Sequence, residues 1–324
     1  MSSANSAFYK KDLLPVATFA VVLLTMPFWF KFIGGYSGLD TKIVIWIIFA
    51  IGFGILLGYM GFLSFGHAAF FGTSAYFTGL MLLHFSANIL PAMVVGIISG
   101  IIMAFIIGFL TLKRTGIYFS ILTLAFGEML HSMVLSTLQD YTGGDNGLTG
   151  LPTPMLFGLK MQGDNVFYLT VIVAIVMYYI ARRIIRSPFG LMLKAIKSNQ
   201  VRLEYTGVNV ARYKLLGFVI SAVYASVAGS LMIVYEPYVA SEFLSWHLSG
   251  HIVIMTVLGG VGTLFGPMLG AAFMLYFENV LSVTMGEQWL LILGAVFMLT
   301  VIFLPGGFVE GGSKIKKKLM GGDE

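Results

Sequence analysis

Glutamate and histidine side chains occur inside segments that are otherwise apolar. Glu128 and His131 are three residues apart, a spacing that puts both on one face of an α-helix. In lipid an ionisable side chain costs about 2.5–3.5 kcal/mol, so it faces a bundle interior or water. The pair therefore forms a polar wall of a translocation path, a proton relay, or an interhelical contact that fixes packing. For Glu278, His67 and His251 the packing role is favoured. No second histidine or carboxylate lies at metal-ligand spacing around His67 or His251, so no metal site is predicted.

Composition indicates the surroundings of these residues. Of 324 residues, 58% are hydrophobic and 10% are charged, and the mean hydropathy is +0.92. Soluble domains are about 45–50% apolar and about 25% charged. A soluble domain, a disordered chain and a nucleic-acid binder are therefore excluded as classes. The chain has no cysteine, which also excludes disulfide frameworks, thiolate metal sites and cysteine nucleophiles.

The apolar residues fall into runs of the length that a membrane-spanning helix requires, about 20 residues. We predict an all-α integral membrane protein of about ten transmembrane helices that forms one transmembrane domain over residues 1–324, with a cytoplasmic loop at 182–214. The ten predicted spans are 13–30, 43–60, 65–83, 91–112, 117–138, 166–181, 215–235, 248–265, 268–285 and 289–304.

The basic residues predict the orientation. With ten spans and a cytoplasmic N-terminus, 16 of the 19 Lys and Arg residues lie in cytoplasmic segments and only Lys31, Lys42 and Lys160 lie outside. Lysine and arginine are retained on the cytoplasmic side during insertion. Both termini are therefore expected in the cytoplasm, with the chain in the inner or plasma membrane.

Two glycine-rich segments lie at predicted junctions between spans. Small residues allow helices to approach closely, and they also permit broken helices beside a cavity. Discontinuous helices and plain short loops are both compatible with these segments. The candidate helix breaks are Gly61, Gly66, Gly259, Gly262 and Gly266.

The predicted external loop at 139–165 contains TGGDNGLTGLP at 142–152, which is rich in residues that favour turns. Gly143, Asp145 and Asn146 are candidates for docking a partner or a solute. The alternative is a folded lid that only connects two spans.

The stretch at 187–207 combines apolar and basic residues, and Pro188 opens it. Its pattern predicts one or two short amphipathic helices at the inner face of the membrane, with Asn199 and Gly207 as stopping points. Such a helix suits a groove on a soluble partner. No GxxxxGK[ST] phosphate loop occurs in the sequence, so ATP hydrolysis would require another chain.

Several of these segments together resemble a known family. Residues 187–231 (SPFGLMLKAIKSNQVRLEYTGVNVARYKLLGFVISAVYASVAGSL), 258–271 (LGGVGTLFGPMLGA), 121–134 (ILTLAFGEMLHSMV) and 142–152 are similar, in order and spacing, to branched-chain amino acid permeases of ATP-binding-cassette importers, the LivM type. The resemblance covers about residues 58–307. Urea permeases share this architecture and are the nearest rival.

The resemblance implies three kinds of partner: a second homologous permease subunit, two ATPase subunits that hold ATP and magnesium, and an extracytoplasmic solute-binding protein. This chain itself would hold no cofactor and catalyse no bond change. It also implies that residues 190–207 form the helix that couples to the ATPase. The coupling candidates are Gly190, Lys194, Ala195, Ile196, Lys197, Asn199, Glu204 and Gly207. The family often has an arginine where His131 stands and a proline where Asp145 stands, and its alanine-rich turn is replaced by residues 201–205.

The leading hypothesis is therefore an importer permease for leucine, isoleucine or valine that works by alternating access. Along the path, Tyr118, Ile121 and Phe126 would accommodate an aliphatic solute, beside Glu128 and His131. The alternatives are a urea or short-amide permease of the same architecture and a secondary transporter with Glu128 and His131 as a proton relay. A membrane scaffold without transport leaves the ionisable residues unexplained.

Overall fold

The computed structural model describes residues 2–304 and 306–311, without the side chains of residues 2–12 and 287. Four lysines that support the predicted orientation, Lys314, Lys316, Lys317 and Lys318, lie outside the described residues.

The described chain is almost entirely helical. Its helices, in chain order, are α1 (Ser2–Trp29), α2 (Leu39–Gly54), α3 (Ala68–His84), α4 (Ile89–Thr111), α5 (Ile117–Leu135), α6 (Gln139–Thr142), α7 (Asp164–Arg186), α8 (Pro188–Glu204), α9 (Val210–Tyr235), α10 (Trp246–Gly259), α11 (Phe265–Met285) and α12 (Trp289–Phe303). A π-helix, Ile55–Met60, continues α2. A two-stranded hairpin, β1 (Met155–Leu156) with β2 (Leu159–Lys160), is the one departure from helix and loop among these residues.

Seven helices are long and apolar enough to cross a membrane: α1, α2 with its π-helix, α4, α5, α7, α9 and α11. Every run that the sequence analysis predicted as a span is largely helical. However, α3, α10 and α12 have only 17, 14 and 15 residues, short of the length that a spanning helix needs. Helix length thus supports seven spans, and ten spans stay a prediction.

The centre of the bundle is formed by α2 and α9, whose apolar windows are almost wholly buried. Helix α9 packs against α2, α3 and α4, while α7, α10 and α11 surround α2. Helix α2 is therefore hydrophobic on all sides, as expected for a helix enclosed by others. The tip of α8 and the turn between α4 and α5 lie at one end of the bundle, the α8 end, and the hairpin lies at the other, the hairpin end.

Helices α3, α4 and α9 touch through small and hydroxyl-bearing residues. A Cβ atom at Gly229 would lie 2.1 Å from the Phe71 carbonyl oxygen. The Ser74 and Ser230 hydroxyls are 2.7 Å apart, and Thr78 Oγ1 donates to Ser230 Oγ at 2.9 Å. In lipid, helices associate through such close packing and interhelical hydrogen bonds. This three-helix unit forms the scaffold of the protein.

The replacement Gly229→Ala tests this close packing. The new methyl group meets a backbone oxygen that cannot rotate away, so we expect a loss of about 1–3 kcal/mol of stability. The measurement is the thermal unfolding midpoint of the detergent-purified chain.

The matched control is Gly294→Ala on α12, where a Cβ atom meets nothing within 4 Å. Alanine favours helix over glycine by about 1 kcal/mol, so this variant should keep or raise the midpoint. Equal midpoints for the two variants would contradict the packing argument.

Candidate functional site

The amphipathic stretch forms α8, as predicted. Pro188 occupies its first turn, and the Ser187 side chain caps it by accepting from the backbone N–H of Gly190. Leu193 and Ile196 are buried and pack against the other helices. The inner side of α8 is therefore attached to the bundle along its length.

A kink divides α8 at Asn199. This residue has φ −160° and ψ 96°, outside the helical region, and its Oδ1 accepts from the backbone N–H of Arg202 at 2.9 Å. Asparagine is a preferred N-cap because its side chain satisfies such free N–H groups. The sequence analysis left one or two helices open, and the structure has two, with the stopping point at Asn199. Gly207 follows with φ +78°, a left-handed conformation that suits glycine.

Two of the predicted coupling lysines contact this chain itself. Lys197 Nζ donates to the Gly58 carbonyl oxygen at 2.8 Å, and Lys194 Nζ lies 5.4 Å from the centre of the Tyr59 ring. Both partners belong to the π-helix. A cation is favourable at a helix C-terminus because carbonyl groups point there. These contacts fasten α8 to the end of α2.

Helix α8 and the residue after it carry apolar side chains that the described chain leaves exposed. Leu191, Val201 and Tyr205 are 67%, 58% and 87% exposed. We call these three residues the α8 docking face. Two of the predicted coupling residues, Ile196 and Gly190, are buried and therefore lie on the inner side of α8. Ile196 is 4% exposed. Glu204 lies near Tyr205 and accepts from Gln200 Nε2 at 2.8 Å. The alternating apolar and basic pattern of 187–207 contained these residues, but only the fold shows which of them are buried and which are exposed.

A cavity of about 500 Å³ separates α8 from the turn between α4 and α5. Its lining residues are Met60, Gly61, Phe62, Thr115, Gly116, Ile196, Lys197, Gln200 and Val201. The second half of α8 therefore has open space beside it.

On α5, Glu128 and His131 lie side by side, as their spacing predicts. Glu128 Oε2 is 3.7 Å from His131 Nδ1, and the two side chains are 39% and 21% exposed. Glu128 Oε1 also accepts from the backbone N–H of Trp246 at 3.0 Å. A carboxylate at a helix N-terminus is favourable, so Glu128 holds the start of α10. Trp246 is 118 positions away, and no sequence signal indicated this contact.

Glu128 belongs to a stripe along α5 that the described chain leaves exposed or half-exposed. The α5 stripe consists of Tyr118, Ile121, Ala125, Glu128 and Ser132, which follow one another by three or four residues. Tyr118 and Ile121 are 73% and 56% exposed. Phe126, the remaining predicted path residue, is half-buried and packs against the core. The structure therefore places Phe126 outside the stripe.

Residues 61–67, which we call the 61–67 linker, join the π-helix to α3. They run alongside α5 in space. Gly61 ends the π-helix with φ +79°. A Cβ atom at Gly66 would lie 1.8 Å from the Thr123 carbonyl oxygen, so glycine allows the backbones to touch there. Ser120 Oγ donates to the Leu63 carbonyl oxygen at 2.6 Å.

The second glycine segment forms a tight turn between α10 and α11. Gly259 is the last residue of α10, and a Cβ atom there would lie 1.8 Å from the Gly266 carbonyl oxygen. Gly262 has φ +99°. Gly266 lies in the first turn of α11, where its backbone N–H donates to Thr263 Oγ1 at 2.9 Å.

The candidates for partner docking at 143–146 lie on a folded loop at the hairpin end. Leu148 and Val239 exchange both backbone hydrogen bonds, at 2.9 and 3.1 Å, and Tyr238 OH donates to the Asn146 carbonyl oxygen. Gly143 has φ +79°, whereas Asp145 and Asn146 are exposed. The loop is thus folded and still presents polar side chains outward.

Three further ionisable residues lie inside the bundle. His67 is fully buried among phenylalanine rings, with Nε2 2.8 Å from Ser221 Oγ. His251 and Glu278 are partly buried on α10 and α11, and both interact electrostatically with Lys42.

Comparison with known proteins agrees with these features. A family model described as "Branched-chain amino acid transport system / permease component" matches residues 36–301. The chain is 26% identical to the high-affinity branched-chain amino acid transport system permease protein LivM of Escherichia coli K12, over 90% of this chain and 73% of that protein. The corresponding Salmonella typhimurium protein gives the same values.

A probable branched-chain amino acid transport permease protein LivM from Methanocaldococcus jannaschii is 24% identical, over 88% of this chain and 91% of that protein. No solved structure matches the chain. The family match covers most of the chain, and seven helices are long and apolar enough to cross a membrane. The chain is therefore a multi-pass membrane protein that belongs to the family of branched-chain amino acid transport permease components.

Proposed function

We propose that this chain is the permease subunit of an ATP-driven importer that moves leucine, isoleucine or valine into a prokaryotic cell. The α8 docking face carries this proposal, because its apolar side chains are exposed in an amphipathic stretch that suits a groove on a soluble partner. A cleft on an ATPase subunit is the partner that fits. A phosphate loop does not occur in this chain, so two such subunits would supply ATP, magnesium and hydrolysis.

The orientation follows from the same surface. The α8 end is the cytoplasmic end, since the ATPase works there. Among the described residues, the basic side chains of α8, of the α4–α5 turn, of the end of α7 and of the start of α9 lie at that end. We further propose ten spans, with α3, α10 and α12 as short ones and both termini in the cytoplasm. The 61–67 linker, with Gly61 and Gly66, and the α10–α11 turn, with Gly259, Gly262 and Gly266, then join consecutive spans within one transmembrane permease domain.

The α5 stripe is the proposed wall of the translocation path. A glutamate in contact with lipid would be costly, so this surface must meet water or protein in the assembled transporter. A second homologous permease facing the stripe would enclose it. The Glu128 carboxylate is complementary to an ammonium group, and Ile121, two turns away, is complementary to an aliphatic side chain. Together they match a branched amino acid better than urea, which has neither group.

The loop that carries Asp145 and Asn146 is the proposed docking point of the extracytoplasmic solute-binding protein. It lies at the end opposite α8, its side chains face outward, and its backbone is fixed to Val239. Alternating access then requires that docking at one end and ATP at the other favour different conformations, because a partner shifts an equilibrium only through its differential affinity.

The substitution Tyr205→Asp tests the docking face. Tyr205 is 87% exposed, so a charge there should leave the fold intact but weaken ATPase binding at least about tenfold. The measurement is the amount of ATPase that co-purifies with the tagged chain. Aspartate at Ile196 would test folding instead, because that side chain is buried.

The matched control is Tyr141→Asp, a tyrosine that is 72% exposed at the hairpin end. It should leave ATPase co-purification unchanged. Equal ATPase recovery with both variants would contradict the proposed docking face.

The substitution Glu128→Gln tests the path. Glutamine can still accept from the Trp246 N–H, so α10 should stay in place, while the charge that attracts an ammonium group is lost. Hydrogen bonds to charged groups are worth about 1.5–3 kcal/mol, so uptake per assembled transporter should fall on the order of tenfold or more. Uptake of labelled leucine into liposomes and the unfolding midpoint are measured together.

Glu236→Gln, at the exposed end of α9, removes a carboxylate away from the stripe and should leave uptake unchanged. Normal uptake by Glu128→Gln, with a lowered midpoint for Glu128→Leu, would mean that Glu128 only supports packing. Uptake that persists without ATPase subunits and collapses with a protonophore would favour the proton-coupled transporter instead.

A further inference from the structure

The π-helix is held from two sides at a single residue. The Gly58 carbonyl oxygen accepts from Lys197 of α8, and a Cβ atom at Gly58 would lie 3.0 Å from the backbone nitrogen of Gly262. Single π-helical turns occur often at functional sites. Gly58 lies in the last turn of this π-helix, where carbonyl groups have no partner within the helix, and its carbonyl oxygen attaches α8 instead.

The 61–67 linker begins where the π-helix ends and runs along α5. Its Leu63 carbonyl oxygen accepts from Ser120, and Gly66 lies directly against Thr123. Gly127, next to Glu128, also touches Gly66, since a Cβ atom there would lie 3.2 Å from the Gly66 Cα. Side-chain hydrogen bonds and close backbone contacts therefore form a continuous path from Lys197 on α8, through the π-helix and the linker, to α5 beside Glu128.

The linker also contains buried polar atoms that lack partners. Within the described residues, four buried side-chain nitrogen or oxygen atoms have no hydrogen bond, and two of them are Ser64 Oγ and His67 Nδ1. Both side chains are 0% exposed. Ser221 Oγ donates to the Gly52 carbonyl oxygen at 2.7 Å, so it accepts from His67 Nε2, and Nδ1 is the unprotonated nitrogen.

An unpaired buried polar group costs about 1–3 kcal/mol, so a conformation of the linker that paired either atom would gain that contribution. The cavity beside Lys197 and Gly61 provides space for the α8 side of the linker to move.

We propose that the 61–67 linker transmits the movement of α8 to the α5 stripe, with Lys197 as the positioning residue that joins α8 to the π-helix. This inference rests on the proposed function, because it requires that an ATPase moves α8. It adds the route by which movement of α8 reaches α5, which the α8 docking face and the α5 stripe do not define. In the alternative conformation, the linker changes its contacts with Ser120 and Thr123 and repositions the α5 residues around Glu128.

Lys197→Met, compared with Lys197→Arg, tests the joint in the complete transporter reconstituted in liposomes. Methionine keeps the length of the side chain but cannot donate to Gly58, whereas arginine can. Allosteric couplings are typically worth about 5–150-fold, so solute moved per ATP hydrolysed should fall at least about fivefold with methionine and recover with arginine. ATPase recovery and the unfolding midpoint should stay unchanged, which separates lost transmission from lost assembly.

Lys160→Met is the control for loss of a positive charge, since Lys160 is exposed at the hairpin end. An unchanged ratio of uptake to hydrolysis with Lys197→Met overturns the inference. Transport by the wild-type permease subunits without ATPase subunits is measured first. If solute moves there, the proposed function fails as well.

A cysteine label tests the movement directly, because the chain has no cysteine of its own. Ser64→Cys is nearly isosteric and is buried in this conformation. Its reaction with a maleimide should change at least about fivefold when the ATPases are trapped with ATP and vanadate. Ala225→Cys, equally buried on the α9 scaffold, should react at the same slow rate in both states. If the reaction rate of Ser64→Cys, like that of Ala225→Cys, is the same in both states, the inference is overturned.

Discussion

Every backbone N–H and C=O group inside a bilayer needs a partner from the protein, because the hydrocarbon offers none. Helices meet this constraint by themselves, and the 61–67 linker meets it through side chains of neighbouring helices. Ser120 donates to the Leu63 carbonyl oxygen of the linker, and where the linker ends Ser249 Oγ accepts from the N–H of Ala68, the first residue of α3, at 2.8 Å. Non-helical backbone at this depth is tolerated only where protein covers it. The linker therefore depends on α5 and α10 for its position.

The same constraint divides the bundle into a scaffold and attached parts. Helices α3, α4 and α9 meet through glycine and hydroxyl-bearing residues, with contacts such as Gly229 to Phe71 that leave no space to slide. Helices α5 and α8 also use polar contacts, such as the hydrogen bond from Lys197 to Gly58, beside the packing of buried residues such as Phe119 and Leu193. One hydrogen bond contributes about 0.5–1.5 kcal/mol net, or about 1.5–3 kcal/mol when charged. A single polar contact of this size is easier to exchange than the close backbone packing of α3, α4 and α9.

The two sides of α8 have separate roles. Lys194 and Lys197 face the π-helix, while Leu191, Val201 and Tyr205 are uncovered. A helix that is attached on one side and apolar on the other suits a position between two proteins. In the proposed function, this arrangement would connect the membrane helices to an ATPase on another chain. Glu128 likewise has two roles, since it holds the start of α10 and still presents half of its carboxylate outward.

Helix positions, the membrane class, the kinked amphipathic stretch and the shared face of Glu128 and His131 could all be predicted from the sequence. Each depends on local spacing and composition, which do not require knowledge of the fold. The sequence did not separate the inner side of α8 from the outer, exclude Phe126 from the α5 stripe, or connect Glu128 to Trp246. Those relations depend on which residues, more than a hundred positions apart in the last case, meet in space. Glycine illustrates the boundary: its abundance indicated close approach, but only the tertiary structure decided that Gly66 touches α5 and Gly229 touches α3, because a missing Cβ does not specify its neighbour.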